Sequence, residues 1–244
     1  MALHRVARLD AVDSTNTEAM RRAQAGERGP LWIVADTQSA GRGRSGRSWS
    51  SETGNLHASL LLTLALPQPQ AHQLALVAGV ALFDAISPAI GPPPAGLRLK
   101  WPNDILIDGD KTGGILIESS MGAGGLTAVI GIGLNVAAAP AGLDRPATHL
   151  AAHGASPGAR GLLLDALMDT LAVWLAAWDE GRGFAAVREA WLNRAHPIGE
   201  RMGINTGTEH VAGTFQGLDP DGALLIDAGG SVRRFTFGDV SLQR

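Results

Sequence analysis

The sequence predicts an α+β chain, with a larger unit of strands and helices followed by a small all-β unit. Three observations carry that expectation. Apolar segments of strand character alternate with longer segments of helical period up to residue 196. Beyond Pro197 the helical period is lost and short strand segments take over, with Asp219-Pro220-Asp221-Gly222 as a turn between two of them. Polar and glycine-rich stretches recur at strand ends, where a site on a sheet is assembled. The expected domains are 1–196 and 197–244, the second a small β-barrel.

Taken in order, Val6 to Leu9 reads as a short strand. Ser14-Thr15-Asn16-Thr17-Glu18 opens a helix in which Thr15 and Glu18 have capping-box spacing, and Gly26 is placed to end it. Taken alone, Ser14-Thr15-Asn16 is simply a good cap. Leu31 to Ala35 and Leu56 to Leu64 read as strands. Ala71 to Ile86 has Leu74, Val77, Leu82 and Ile86 near the helical period, and Ser87 to Gly96, with four prolines and two glycines, reads as a loop. Leu97 to Lys100 is a strand running into Trp101-Pro102-Asn103-Asp104. Ile105-Leu106-Ile107 and Ile115-Leu116-Ile117 flank Asp108-Gly109-Asp110 as a hairpin, with Lys111 on its second arm. Leu126 to Ile132 is a further strand, Ala137 to Gly161 a long connection, and Leu162 to Trp178 and Phe184 to Ala195 are helices. Val211 to Gln216, Ala223 to Asp227 and Val232 to Phe237 are the expected C-terminal strands.

The 244 residues suffice for one good-sized core, and 45% hydrophobic with 18% charged residues is ordinary for a globular chain. A net charge of −3 argues against broad nucleic-acid binding. The absence of cysteine excludes disulfides, thiolate metal sites and cysteine nucleophiles. No signal-peptide pattern opens the chain, and charged or polar residues interrupt each apolar segment, so a cytoplasmic protein without a membrane span is expected.

Against that modest composition, Gly41-Arg42-Gly43-Arg44-Ser45-Gly46-Arg47 packs three arginines and three glycines into seven residues, followed by Ser48-Trp49. Glycine lets backbone N–H groups approach a ligand, and arginine offers a planar fork to phosphate or carboxylate. A solvated turn, or an arginine-glycine segment on RNA phosphates, are the competing readings of this loop alone. With Lys111, an Asn103-Asp104 pair and no histidine or cysteine cluster, nucleotide-dependent activation of a carboxylate fits. Arg42, Arg44 and Lys111 would stabilise the charge gathering at an α-phosphate, and Asp104 would help hold Mg²⁺.

Five blocks in order then resemble the biotin protein ligase family: Ser14-Thr15-Asn16; Gln38 with the arginine loop through Trp49; Lys100-Trp101-Pro102-Asn103-Asp104; Lys111-Thr112-Gly113-Gly114-Ile115-Leu116; and Gly131-Ile132-Gly133-Leu134-Asn135. The likeness continues to Asp239-Val240-Ser241-Leu242. It implies a catalytic domain akin to the class II aminoacyl-tRNA synthetase core, a mixed sheet flanked by helices, followed by a small C-terminal β-barrel. It also implies attachment of biotin, through biotinyl-5′-AMP, to a lysine of a biotin carboxyl carrier protein of acetyl-CoA carboxylase, with ATP and biotin as substrates and Mg²⁺ as cofactor. By position, Ser14, Thr15, Asn16, Gln38, Gly41, Arg42, Gly43, Arg44, Lys111, Gly114, Gly131 and Gly133 would contact biotin. Arg42, Arg44, Arg47, Trp49, Asn103, Lys111 and Asn135 would contact ATP, while Lys111, Arg44 and Asp104 carry the chemistry. Ser45 replaces an arginine common in bacterial relatives. The Ser-Thr-Asn block begins at residue 14, so the expected form is the monofunctional one, without DNA binding, monomeric or homodimeric. Two readings compete: a lipoate or octanoate ligase or transferase of related fold, and a non-catalytic RNA-binding protein. The latter leaves Lys111 unexplained and has no tyrosine for stacking.

Overall fold

The computed structural model describes residues 5–65, 72–122, 124–142 and 145–242. A seven-stranded sheet is built from β1 (Val6–Val12), β2 (Leu31–Gln38), β3 (Leu56–Leu64), β4 (Leu97–Lys100), β5 (Asp104–Ile107), β6 (Asp110–Gly122) and β7 (Gly125–Leu134). Its strand order is β1-β2-β3-β7-β6-β5-β4. Only β1 and β2 run parallel, so the sheet is mixed. The β5–β6 turn is Asp108-Gly109, with φ 52° and 83°, the pair of positive φ values that a two-residue hairpin requires.

The two faces of this sheet do different work. On one, α2 (Gln73–Ile90) buries Leu74, Val77, Ala81 and Ala85, and α3 (Ala159–Trp178) and α4 (Phe184–Leu192) pack outside it. On the other lies α1 (Thr15–Gln24), whose Ala19 meets Leu31, Ile33, Leu61 and Val129. The helices end differently from expectation. Helix α2 runs past Ser87 to Ile90 with Pro88 inside it, because burial of Ala85, Ile86 and Ala89 holds its last turn on the core. Ala71, its expected start, lies outside the described residues. Helix α4 ends at Leu192, short of Ala195, and α3 begins at Ala159. By length and composition alone α2 and α3 are each long and apolar enough to cross a membrane; most of α2 is buried within the fold, and α3 is about one-third buried.

The expected barrel is an open sheet. β8 (Arg201–Asn205), β9 (His210–Leu218), β10 (Leu224–Asp227), β11 (Val232–Phe235) and β12 (Asp239–Leu242) are ordered β11-β10-β9-β8-β12, all antiparallel. Strands β8 and β12 escaped the sequence reading because each is short and carries polar or glycine positions. Its buried side chains Met202, Phe215, Leu224 and Val240 belong to the same continuous apolar core as Trp101, Phe184 and Trp191.

Candidate active site

A cleft of about 560 Å³ opens on the α1 face of the larger sheet and extends to β12. Its floor is set by glycine pairing. Gly114 on β6 faces Gly133 on β7, and Leu116 faces Gly131. A Cβ on Gly133 would lie 2.5 Å from the Trp49 ring, and one on Gly131 would lie 2.1 Å from Asn16 Oδ1. Two adjacent strands therefore omit side chains where an indole and an amide come down onto the sheet.

One end of the cleft is polar and wired in advance. Ser14, rather than Thr15, caps α1, its hydroxyl accepting from Thr17 N. The predicted capping box does not form, since Thr15 turns inward: its N–H and hydroxyl both donate to Gln38 Oε1, at 2.8 and 3.1 Å. Ser59, in β3, lies 2.7 Å from the Thr15 hydroxyl and 2.6 Å from Asn16 Oδ1. Asn16 Nδ2 donates to Glu118 Oε2 at 2.8 Å. Glu118 also holds Arg42, whose Nη2 reaches both carboxylate oxygens at 2.9 and 2.8 Å.

The arginine loop is a small hairpin: Arg42 bridges Ser48, and Gly43 N donates to Arg47 O. Its tip, Ser45-Gly46, has φ 55° and 72°. Gly41 stands outside the cleft, where a Cβ would come within 2.5 Å of Trp49 O, so close packing is what requires glycine there. Arg44 donates to Asn103 Oδ1 and Gly238 O, each at 3.1 Å, and Arg47 donates to Asp239 Oδ1 at 2.8 Å. Burial lowers the Arg44 pKa, opposed by Asp239 and Asp104. The loop thus closes across the cleft onto the C-terminal sheet.

Lys111 lies between these two ends. Its backbone is clamped by a segment of the expected connection: Lys111 N donates to Pro146 O and Thr148 N to Lys111 O. Its ammonium donates to Asp104 Oδ1 at 2.6 Å and stands 5.6 Å from the Trp49 ring centre. The other Asp104 oxygen is 2.9 Å from the Lys100 ammonium, which also donates to Val240 O at 3.0 Å. Burial pushes the Asp104 pKa up, but the two ammonium groups outweigh it and hold the carboxyl at about 2. Burial also lowers Lys100, against the pull of Asp104. Asn135 anchors the far wall, donating from Nδ2 to Thr148 O.

The structure therefore brings the predicted residues to one cleft, Gly41 excepted. Asp104 carries an ammonium on each of its oxygens, Lys111 on one and Lys100 on the other. Sequence reasoning missed Lys100, Glu118, Ser59, Arg145 and Asp239 as site residues. Only Lys100 carried a usable signal, its four-residue spacing from Asp104.

Two family models match the chain. The Biotin/lipoate A/B protein ligase family covers residues 9–135, and the Biotin protein ligase C terminal domain covers residues 198–243. A biotin--[acetyl-CoA-carboxylase] ligase of Paracoccus denitrificans is 43% identical over 230 residues, spanning 89% of this chain and 92% of the relative. The bifunctional ligase/repressor BirA of Escherichia coli is 32% identical, spanning 98% of this chain and 74% of that protein. Among solved structures, the biotin protein ligase from Aquifex aeolicus in complex with biotin and ATP superposes with a TM-score of 0.83 at 27% identity, covering 99% of both chains. Matched along nearly its whole length, this chain belongs to the biotin protein ligase family.

Proposed function

We propose that the chain is an ATP-dependent ligase that forms biotinyl-5′-AMP and passes the biotinyl group to a lysine of a biotin carboxyl carrier protein, in the cytoplasm. The observation that carries this reading is the place of Lys111: an ammonium held midway between a polar pocket and an arginine loop, above a floor of glycines. The pocket of Thr15, Asn16 and Gln38 offers the paired donors and acceptors a ureido ring needs. The ligand's carboxylate then points to Lys111, and its oxygen attacks the α-phosphorus of ATP. A new O–P bond forms as the bond to pyrophosphate breaks. Lys111, Arg44 and Arg47 stabilise the charge that gathers there. In the second step a neutral acceptor amine attacks the carbonyl carbon and AMP leaves.

Asp104 positions Lys111 in this scheme. Mg²⁺ would come with the triphosphate, whose oxygens supply most of its coordination. The division at residues 196 and 197 separates two sheets that share one site, since β12 lines the cleft. Exchange of labelled pyrophosphate into ATP, measured with biotin and with lipoate, tests the proposal. Biotin-dependent exchange is expected; exchange with lipoate alone, or with neither acid, overturns it.

A further inference from the structure

Six basic side chains line the cleft, and five have an acidic partner: Arg42 with Glu118, Arg44 and Arg47 with Asp239, Lys100 and Lys111 with Asp104. Among the described residues the sixth, Arg145, forms no ion pair within the cleft. It is exposed at the cleft wall, and the next three residues tie it in place. Pro146 O accepts from Lys111 N at 3.0 Å, Ala147 bridges Lys111, and Thr148 N donates to Lys111 O at 2.9 Å. The backbone that carries Arg145 is therefore anchored beside that of the central lysine, while its side chain is solvated. Its field is felt inside. Burial lowers Lys100, and Lys111 and Arg145 add to that; burial opposes the lowering of Asp239 that Arg47, Arg44 and Arg145 produce.

We infer that Arg145 is a binding residue for the β- and γ-phosphates of ATP, and for the pyrophosphate they become; the inference rests on the ligase reading. Six cations face three carboxylates, so the cleft is set for a polyanion, and the five paired cations must share their charge with resident acids. Among the described residues no acid shares the charge of Arg145, and a planar guanidinium grips two phosphate oxygens at once. The residue touches the leaving group and not the carboxylate, so its contribution is to nucleotide and pyrophosphate affinity.

The test compares the unsubstituted protein with Arg145→Ala and Arg145→Lys in three assays: ATP–pyrophosphate exchange, pyrophosphorolysis of preformed biotinyl-AMP, and transfer from preformed biotinyl-AMP to acceptor. Arg145→Ala is expected to raise KM for ATP and for pyrophosphate about tenfold, as for loss of a charge-assisted contact. KM for biotin and the transfer rate should stay within twofold, and Arg145→Lys should recover part of the loss. Unchanged KM for ATP and pyrophosphate overturns the proposal. So does a rise in acceptor KM alone, which would make Arg145 an acceptor-docking residue. If the unsubstituted protein forms no biotinyl-AMP, the ligase reading falls and this proposal with it.

Discussion

Asp104 and Lys111 make a contrast that separates folding from chemistry. Lys100 and Asp104 are nearly buried, with side chains 9% and 10% exposed, whereas Lys111 is 33% exposed. Asp104→Asn strands a buried ammonium, so a loss of about 3 kcal/mol is expected in urea unfolding. Lys111→Met leaves Asp104 its Lys100 partner and should unfold near wild type, yet lose at least about a hundredfold in pyrophosphate exchange. Equal damage to both properties in both variants would remove the distinction. A second residue-scale effect concerns His57, which burial holds below its ordinary pKa and whose Nδ1 has no partner. The unfolded chain takes up a proton near pH ~6.5 while the native state does not, so stability falls as pH drops below that value, by at most about 1.4 kcal/mol per pH unit. His57→Leu should flatten this slope between pH ~6.5 and ~5; an unchanged slope assigns it to other groups. At this scale Lys111 was legible because glycines mark its surroundings. Asp239 was not, because its partner Arg47 lies 192 positions away.

The arginine loop is fastened at both ends, by Glu118 at the α1 side and by Asp239 and Gly238 at β12. Composition exposed the loop itself; its fastenings come from strands that a local reading cannot bring together. Arg44 joins three elements at once, reaching Asn103 after β4, Gly238 before β12 and the loop's own hairpin. Arg44→Gly should open the lid more than it slows adenylation, releasing biotinyl-AMP to bystander lysines. Incubation with biotin, ATP and albumin checks this: labelling above wild type is expected, and labelling equal to wild type with an unchanged adenylate dissociation rate refutes it. The helix ends show a different limit. Pro88 marks a break by composition, but burial of Ala89 outweighs it.

Across the whole molecule the two sheets act as one body, because the apolar core runs through both and the cleft ends on β12. The change of texture after Pro197 announced a second unit. That its strands share a core with Trp101, Phe184 and Trp191 of the larger unit could not be read locally, because those residues lie in other segments of the sequence. Hence the C-terminal sheet contributes to the site itself. Asp239→Asn removes the charge that holds Arg47 and should leave biotin affinity within twofold while the adenylate dissociates several-fold faster. Calorimetric biotin binding paired with adenylate dissociation reads both; an unchanged dissociation rate means that β12 bears on the loop only through packing.

The indole of Trp49 rests on the glycine floor with its N–H buried and unpartnered, an ammonium 5.6 Å from the ring centre. Such a chromophore is an optical gauge of its own pocket. A ligand entering over Gly114 and Gly133 changes the polarity and the charge around the ring, so emission should shift in proportion to occupancy. The chain has six tryptophans, of which Trp32, Trp178 and Trp191 are sealed in the core, while Trp101, though largely buried, also borders the cleft. Trp49→Phe should abolish most of the ligand-induced signal while leaving the protein's own fluorescence largely in place. Stopped-flow emission would then time lid closure without any label, and a signal surviving in Trp49→Phe would place its source elsewhere.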